Sequence, residues 1–230
     1  MNIIITGASK GIGFDTALQL ASTSKNRILA LSRNEANLKK LASLAAFDNL
    51  DYLAFDITKP DFTALQQKVE TLGGVDVLLN NAGLLIAKPF KELTSADWRQ
   101  SFETNMLGVV DLIQTLLPHL ERSENAHIIN IGSMGGYQGS AKFPTLSAYS
   151  ASKAAVANLT ECLAEELKDE NIRVNCLAFG AVQTKMLEAA FPGMQAPLSS
   201  SEMAEWVAWF CVNGHKFFNG KVLPVSVSTP

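Results

Sequence analysis

Near its start the chain reads Asn2-Ile3-Ile4-Ile5-Thr6-Gly7-Ala8-Ser9-Lys10-Gly11-Ile12-Gly13, and this stretch decides the fold. The β-branched run predicts a short buried strand, and the amphipathic pattern from Phe14 to Ser24 predicts a helix. Glycines between them let the backbone turn sharply, and the N–H groups that open a helix attract phosphate. The glycine spacing is not G-x-G-x-x-G, and a glycine cluster alone is weak evidence. Its place between a first strand and a first helix predicts a nucleotide-phosphate site.

The rest of the chain alternates between apolar strands and helical patterns. Strands are predicted at 2–6, 27–32, 51–55, 75–80, 126–132, 172–178 and 221–225. Strands joined through helices form parallel sheets with helices on both faces. We therefore expect an α/β fold: residues 1–230 as a single Rossmann-like, doubly wound domain, with a seven-stranded parallel sheet.

Polar motifs fall at or just beyond the carboxyl ends of the predicted strands. They are Thr6–Gly13, Ser32-Arg33, Asp56, Asn80–Gly83, Gly132-Ser133 and Gly180–Thr184. In a doubly wound sheet these ends meet along one crevice. The pattern predicts that these motifs form one binding site.

Composition excludes several other classes of protein. The 230 residues are 47% hydrophobic and 18% charged with a net charge of −3, which fits one large core and offers no basic surface for nucleic acid or an anionic membrane. The sequence has no secretory signal and no apolar run of about 18 residues, so we expect a cytoplasmic protein. We expect no metal, because the three histidines lack ligand spacing, and we expect Cys162, Cys176 and Cys211 to be buried free thiols.

Tyr149 and Lys153 lie four residues apart in a segment of strong helix formers, so they should share one helical face. A free tyrosine has a pKa of about 10, and a cation within roughly 4–6 Å favours the phenolate and lowers that pKa. The two side chains together can therefore carry out proton chemistry near neutral pH. Taken alone, such a pair is usually an ordinary surface contact.

The motifs, taken in order, resemble those of the classical short-chain dehydrogenase/reductase family. The resemblance is carried by Thr6-Gly7-x-x-x-Gly11-Ile12-Gly13, Asn80-Asn81-Ala82-Gly83, Asn105, Ser133 and Tyr149-x-x-x-Lys153, and it extends from residue 2 to about 184. It implies that Tyr149 exchanges a proton with the substrate oxygen and that Lys153 lowers the pKa of Tyr149 and binds the nicotinamide ribose. Ser133 would polarise the carbonyl, and Asn105 would support a water linked to Lys153. Outside the resemblance, Asn105 is an ordinary mid-helix asparagine and Ser133 an ordinary strand-end serine.

The resemblance also implies a cofactor site, and the end of the second strand predicts NADP(H). An acidic residue there would favour NAD, but the chain has Leu31-Ser32-Arg33-Asn34, and Arg33 and Lys10 offer positive charge for a 2′-phosphate. Arg33 could equally be a solvated charge. Asp56 resembles the contact to adenine, although it could also be a turn or cap residue. The expected cofactor-binding residues are Gly7, Ser9, Lys10, Gly11, Ile12, Gly13, Ser32, Arg33, Asp56, Ile57, Asn81, Ala82, Gly83, Tyr149, Lys153, Gly180, Val182 and Thr184.

Two departures from the family pattern concern the substrate end. The segment between Ser133 and Tyr149 is longer than usual, so it should reshape the substrate mouth, and Phe179 stands where proline is common. The apolar stretch 186–198 has the composition of a lid over a hydrophobic substrate, or of ordinary packing. We expect a carbonyl reductase acting on a ketone or aldehyde. A pathway reductase for a ketoacyl thioester or a pterin-type substrate, and a catalytically silent NADP(H)-sensing regulator, are the alternatives.

Self-association is expected from two long helical segments, at about 94–120 and 148–169. They carry more apolar residues than the single stripe that a helix packs against its own sheet, namely Phe102, Met106, Val109, Val110, Leu112, Val156, Leu159, Leu163 and Leu167. Surplus apolar helix surface is typical of interfaces. Members of the family pair through these helices, so we expect a homodimer or a homotetramer.

Overall fold

The computed structural model describes residues 1–227 and contains nine strands. They are β1 (Asn2–Thr6), β2 (Arg27–Ser32), β3 (Leu50–Ala54), β4 (Val77–Asn80), β5 (His127–Ser133), β6 (Arg173–Phe179), β7 (Val182–Gln183), β8 (Leu198–Ser199) and β9 (Val222–Val225). Seven of them form one parallel sheet in the order β3-β2-β1-β4-β5-β6-β9. The expected seven-stranded, Rossmann-like sheet is therefore confirmed. The chain reverses its direction of winding between β1 and β4, which places a crevice at that point.

Eight α-helices connect the strands. They are α1 (Gly11–Ala21), α2 (Glu35–Leu44), α3 (Phe62–Leu72), α4 (Ser95–Phe102), α5 (Gly108–Leu120), α6 (Ser147–Glu166), α7 (Lys185–Ala190) and α8 (Ser200–Asn213). Helices α1, α2 and α8 cover one face of the sheet, and α3, α5 and α6 cover the other. Because side chains alternate along a strand, Ile3 and Ile5 pack on the first face and Ile4 on the second. Both faces are buried, which explains the nearly continuous apolar strands.

The predicted helix over 94–120 differs from the structure in its middle. Its start is confirmed, since Thr94 and Asp97 form a reciprocal capping box. A five-residue π-helical turn, Glu103–Leu107, then separates α4 from α5. Such turns depend on tertiary contacts that a periodic pattern does not show.

Packing accounts for part of the apolar surplus that the sequence assigns to an interface. Val109, Leu112, Val156 and Leu167 are buried in the core beneath α5 and α6. The other five residues of that set are partly buried, and neighbouring Leu107 is 45% exposed. Less apolar surface is therefore free for a partner than the sequence alone indicates.

One expectation about the cysteines is wrong. Cys176 and Cys211 are buried free thiols, but Cys162 is exposed on α6. Asn158, Glu165 and Glu166, one turn away on the same side of the helix, are also exposed, so this side of the helix faces outward. Within residues 1–227, no helix combines the length and hydropathy needed to cross a bilayer, and no three His, Cys, Asp or Glu side chains are grouped as metal ligands.

Candidate active site

The turn from β1 to α1 packs directly against the end of β4. Gly7 has φ of +69°, and a Cβ added there would lie 2.9 Å from the Cα of Ala82. A Cβ on Gly13 would overlap the side-chain amide of Asn81. Glycine is needed at both positions because two segments of backbone approach each other closely.

Thr6 ties these two segments together, a role that its place in the motif did not reveal. The buried Thr6 Oγ1 accepts hydrogen bonds from the N–H of Asn81 at 3.0 Å and of Ala82 at 2.9 Å. In return, Asn81 Nδ2 donates to the Thr6 carbonyl at 3.0 Å. The side chain of Asn81 is thus a structural brace beside the glycine turn.

Helix α1 presents an uncapped N-terminus to the crevice. It begins at Gly11, and the preceding Lys10 makes no side-chain cap. Gly11 and Ile12 line the large cavity described below, so the first N–H groups of the helix lie beside it. Free N–H groups and the helix dipole together favour an anion at such a position.

A polar cluster lies where β2 and β3 end. Ser32 Oγ donates a hydrogen bond to Ser9 Oγ at 2.8 Å, which joins the β2 end to the glycine turn. Arg33 and Lys10 are exposed, and among residues 1–227 neither forms a salt bridge. Lys10 follows Ser9 and Arg33 follows Ser32 in the chain, so a cation adjoins each of the two hydrogen-bonded serines.

Asp56 acts as a turn residue in the structure. Its Oδ1 accepts from the Thr58 N–H at 3.0 Å and from the Thr58 hydroxyl at 2.9 Å. Burial is the largest influence on Asp56 and acts to raise its pKa, but the bonds from Thr58 and the charges of Arg33 and Lys59 outweigh it and leave the pKa lowered. Asp56 also lines the cavity, so the same side chain can both hold the turn and contact a ligand.

Asn105 lies in the π-helical turn and is fully buried. Its Oδ1 accepts from the Leu84 N–H at 2.8 Å, and its Nδ2 donates to the Leu84 carbonyl and to Ser152 Oγ, both at 2.9 Å. The π-turn is what aims this side chain inward at Gly83 and the segment after β4. Asn105 Oδ1 and Lys153 Nζ both lie 3.5 Å from the position of a Cβ on Gly83. The predicted pair therefore meets at one point of the site.

Lys153 and Tyr149 share the inner face of α6, as their spacing predicts. Lys153 is 4% exposed, its Nζ donates to the Ile131 carbonyl at 2.7 Å, and the same atom lies 6.0 Å from the centre of the Tyr149 ring. Burial lowers the pKa of Lys153 to about 8, although the Cys176 thiol acts in the opposite direction. The Ile131 carbonyl therefore holds the ammonium near the tyrosine ring.

The expected lowering of the tyrosine pKa by Lys153 is not what these contacts produce. Burial raises the pKa of Tyr149, and a hydrogen bond with the Ser133 side chain opposes that rise only in part. Desolvation disfavours the phenolate, and the hydrogen bond recorded for the Lys153 ammonium within residues 1–227 goes to the Ile131 carbonyl. In this structure Tyr149 is therefore a protonated phenol at neutral pH.

The segment after β6 completes the ring of predicted residues. Phe179, which stands where proline is common in the family, is the last residue of β6. It pairs with Ser133 of β5 and Val225 of β9. Gly180 donates to the Val225 carbonyl at 3.0 Å, Val182 is buried in β7, and the Thr184 side chain caps α7 through the Leu187 N–H.

One cavity of about 1180 Å³ brings nearly all of these residues together. Of the predicted site residues, it is lined by Gly7, Ser9, Lys10, Gly11, Ile12, Ser32, Arg33, Asp56, Ile57, Asn81, Ala82, Gly83, Ser133, Tyr149, Lys153, Gly180, Val182 and Thr184. Gly13 and Asn105 lie behind the wall rather than on it. The volume exceeds the roughly 300–1000 Å³ that usually hold one small ligand, so two molecules can be accommodated.

Several lining residues escaped the sequence reasoning. They include Leu31, Lys59, Leu84, Leu85, Gln100, Glu103 and Thr104. Gln100, Glu103 and Thr104 lie at the end of α4 and in the π-turn that follows it. The strand-end rule, which predicted Thr6, gives no signal for residues at the end of a helix.

Comparison with known proteins finds relatives of this chain. Residues 1–195 match the family model described as short chain dehydrogenase. An uncharacterized oxidoreductase of Staphylococcus saprophyticus is 32% identical over 190 residues, 81% of this chain and 76% of that protein. An uncharacterized oxidoreductase of Staphylococcus aureus is 29% identical over 208 residues, 90% of this chain and 88% of that protein.

Solved structures give the same result. A 3-ketoacyl-(acyl-carrier-protein) reductase from Brucella melitensis, complexed with NADH, has a TM-score of 0.87 and 26% identity, covering 97% of this chain and 96% of that one. A 7α-hydroxysteroid dehydrogenase, complexed with NADH and 7-oxo glycochenodeoxycholic acid, has a TM-score of 0.89 and 28% identity, covering 99% and 93%. The expected family is confirmed: the chain belongs to the classical short-chain dehydrogenase/reductase family of oxidoreductases.

Proposed function

We propose that this oxidoreductase uses NADP(H) to reduce a ketone or aldehyde to an alcohol, with Tyr149 as the general acid. The observation that carries the proposal is that Ser133 and Tyr149, whose hydroxyls are close enough to influence each other, line the same cavity as the glycine turn. Two hydroxyl donors side by side form a site for the oxygen of a carbonyl group. The phosphate-binding turn lies at another part of that cavity.

The residues present fit a dinucleotide. The close approach of Gly7 to Ala82 and the uncapped start of α1 provide a cradle for a pyrophosphate. Gly83, with Asn105 and Lys153 behind it, offers room and donors for a ribose. Val182 and Thr184 would bind the carboxamide of the nicotinamide. When bound, a reduced nicotinamide supplies a hydride to the carbonyl carbon.

The protein's part in the reaction is to manage the charge and the proton on the substrate oxygen. Ser133 donates a hydrogen bond that polarises the carbonyl, and Tyr149 delivers its phenolic proton as negative charge develops on that oxygen. The raised pKa of Tyr149 keeps the proton in place until then. Lys153, with a pKa of about 8, is mostly protonated at neutral pH, so it can stabilise the phenolate left behind.

The preference for NADP(H) rests on the end of β2. The residues that end β2 and follow it, Leu31-Ser32-Arg33-Asn34, include no carboxylate, and Arg33 and Lys10 adjoin the two serines of the Ser9–Ser32 hydrogen bond without salt bridges among the described residues. A guanidinium and an ammonium beside two hydroxyls match the charge and hydrogen-bonding needs of a 2′-phosphate. The two similar structures were solved with NADH. A preference for NADPH would therefore distinguish the present chain from those two complexes.

A direct assay tests the proposal. The purified protein is given NADPH or NADH and a panel of neutral ketones and aldehydes, and cofactor oxidation is followed by absorbance while calorimetry gives the Kd of each cofactor. We expect carbonyl-dependent oxidation of NADPH. Binding of NADPH without reduction of any carbonyl compound would instead support a sensing role, and tighter binding of NADH would contradict the cofactor assignment.

A further inference from the structure

Two phenylalanines meet over the apolar end of the cavity. The rings of Phe143 and Phe191 have centroids 6.3 Å apart and planes at 63°, an edge-to-face contact. Both line the cavity and both are partly buried. Phe143 belongs to the segment between β5 and α6, and Phe191 ends α7, so the contact joins the two segments that border Tyr149 and Thr184.

We propose that Phe143 and Phe191 form the surface that selects the substrate, and that they select a neutral carbonyl compound with a ring attached to the carbonyl group. This inference rests on the proposed reductase function and specifies the substrate class of that site. The following contacts support it.

Much of the lining is apolar. Besides the two rings, it includes apolar residues from the segments that carry the rings and from neighbouring segments, namely Leu85, Met134, Leu146, Met186, Leu187, Met194 and Pro197. Phenylalanine faces and edges pack well against another ring, and methionines adapt to its outline. A hydrocarbon ring held here would bury apolar surface that a three- or four-carbon ketone does not possess.

The charges that line the cavity do not favour an ionised substrate at this end. Lys10, Arg33, Asp56 and Lys59 lie at the β2 and β3 ends. The other charged lining residues are Lys185 and Glu188 on α7, and Glu103 and Lys153, so each pair cancels in net charge. A carboxylate on the substrate would lose hydration against the apolar wall without gaining a net opposite charge.

Phe143 lies on the better-fixed side of the contact. Thr145, two residues on, has φ of +70°, a conformation that costs free energy for a β-branched residue and persists only when the surroundings impose it. Its carbonyl accepts from the Lys88 N–H at 3.0 Å, and Ser140 Oγ donates to the carbonyls of Met134 and Tyr137. These bonds hold the segment in a defined shape.

Phe191 lies on the adjustable side. Helix α7 has six residues, none of them buried, and its start depends on one side-chain cap from Thr184. Gly193, which follows Phe191 closely, has φ of +85° and nothing within 4 Å of an added Cβ. Few buried contacts oppose a displacement of this segment. A ring-bearing substrate can therefore enter by moving Phe191 against a fixed Phe143.

Kinetics with three probe ketones test the inference: acetophenone, 4-acetylbenzoate, which adds a carboxylate to the same ring, and 2-butanone. We expect the unmodified protein to prefer acetophenone over each of the other two by at least about tenfold in kcat/KM. Phe143→Ala and Phe191→Ala should each raise KM for acetophenone by at least about fivefold, with kcat and the Kd of NADPH within about twofold. KM for 2-butanone should change less than about twofold.

Controls separate this inference from the proposed function. Phe47→Ala removes a half-exposed ring outside the cavity and should leave all three KM values unchanged. The double variant should lose less than the sum of the single losses, because the two rings touch. Equal effects of the variants on acetophenone and 2-butanone, equal use of 4-acetylbenzoate, or reduction of 2-butanone alone would overturn the inference while the reductase function stands. Reduction of none of the ketones would count against both.

Discussion

Arg33 and Lys10 carry the choice between the two nicotinamide cofactors. If they bind a 2′-phosphate, kcat/KM should favour NADPH over NADH by at least about tenfold, since each charge-assisted hydrogen bond contributes about 1.5–3 kcal/mol. Arg33→Ala should reduce that ratio mainly by weakening NADPH, because NADH presents only ribose hydroxyls there. Steady-state kinetics with both cofactors provides the measurement.

Arg99→Ala is the matched control, since Arg99 is an exposed arginine on α4 that does not line the cavity. Added salt should weaken NADPH more than NADH, because the charges stand at an exposed rim. An Arg33→Ala variant with its cofactor preference intact would show that the 2′-phosphate is not held at the end of β2.

At the scale of elements, His127 on β5 makes folding sensitive to acid. It is buried, its Nε2 lies 3.1 Å from the Asn175 side-chain amide, and that amide also donates to the Phe218 carbonyl. Nε2 therefore accepts, and a proton there would face a donor. Burial lowers the pKa of His127 to about 3, the nearby His215 contributes to the lowering, and a hydrogen bond with the Cys211 backbone opposes it.

The sign of the effect follows from proton binding. Between pH 6.5 and about 3 the unfolded chain binds a proton at residue 127 that the folded chain does not, so stability falls as the pH falls through this range. From pH 6.5 to 4.5 this group alone costs up to about 2.7 kcal/mol. His127→Gln should lose correspondingly less stability over that interval, as measured by urea unfolding.

Comparison of the two proteins at pH 8, where both are uncharged at residue 127, gives the packing cost of the substitution alone. Identical slopes of stability against pH for the two proteins below pH 6.5 would mean that His127 is not the acid-sensitive group.

The elements that could be predicted from sequence are those fixed by local rules. Apolar runs located all seven strands of the main sheet to within two residues, and the helical segment predicted from residue 94 does begin at the Thr94 cap. The π-turn at Glu103–Leu107 could not be predicted, because it is stabilised by the bonds of Asn105 to Leu84 and Ser152, which are distant in sequence.

The same distinction applies to the candidate site. Strand-end motifs predicted which residues converge, since parallel strands fix where their ends meet. The pKa of Tyr149 could not be predicted from a four-residue spacing, because it depends on the burial of the phenol and on the position of the Lys153 ammonium, which lies 6.0 Å from the centre of the ring. Residues of the wall such as Gln100 and Thr104 lack any local signal.

At the scale of the whole molecule, we propose self-association through α4, α5 and α6. The partly buried Phe102, Met106, Val110 and Leu159, with the exposed Leu107, leave apolar surface there that the core does not cover. Light scattering at micromolar concentration should give two or four times the 24.8 kDa chain mass. Leu107→Glu should shift the mass toward one chain, and a single-chain mass for the unmodified protein would refute the proposal.

The central claim is that the Tyr149 hydroxyl supplies the proton for carbonyl reduction. Removing that hydroxyl tests the claim most directly. Tyr149→Phe keeps the ring, so turnover with NADPH and a ketone should fall by at least about a hundredfold while the Kd of NADPH stays within about twofold. Tyr52→Phe, on β3 and outside the cavity, should retain normal turnover. Near-normal turnover of the Tyr149→Phe protein would contradict the account.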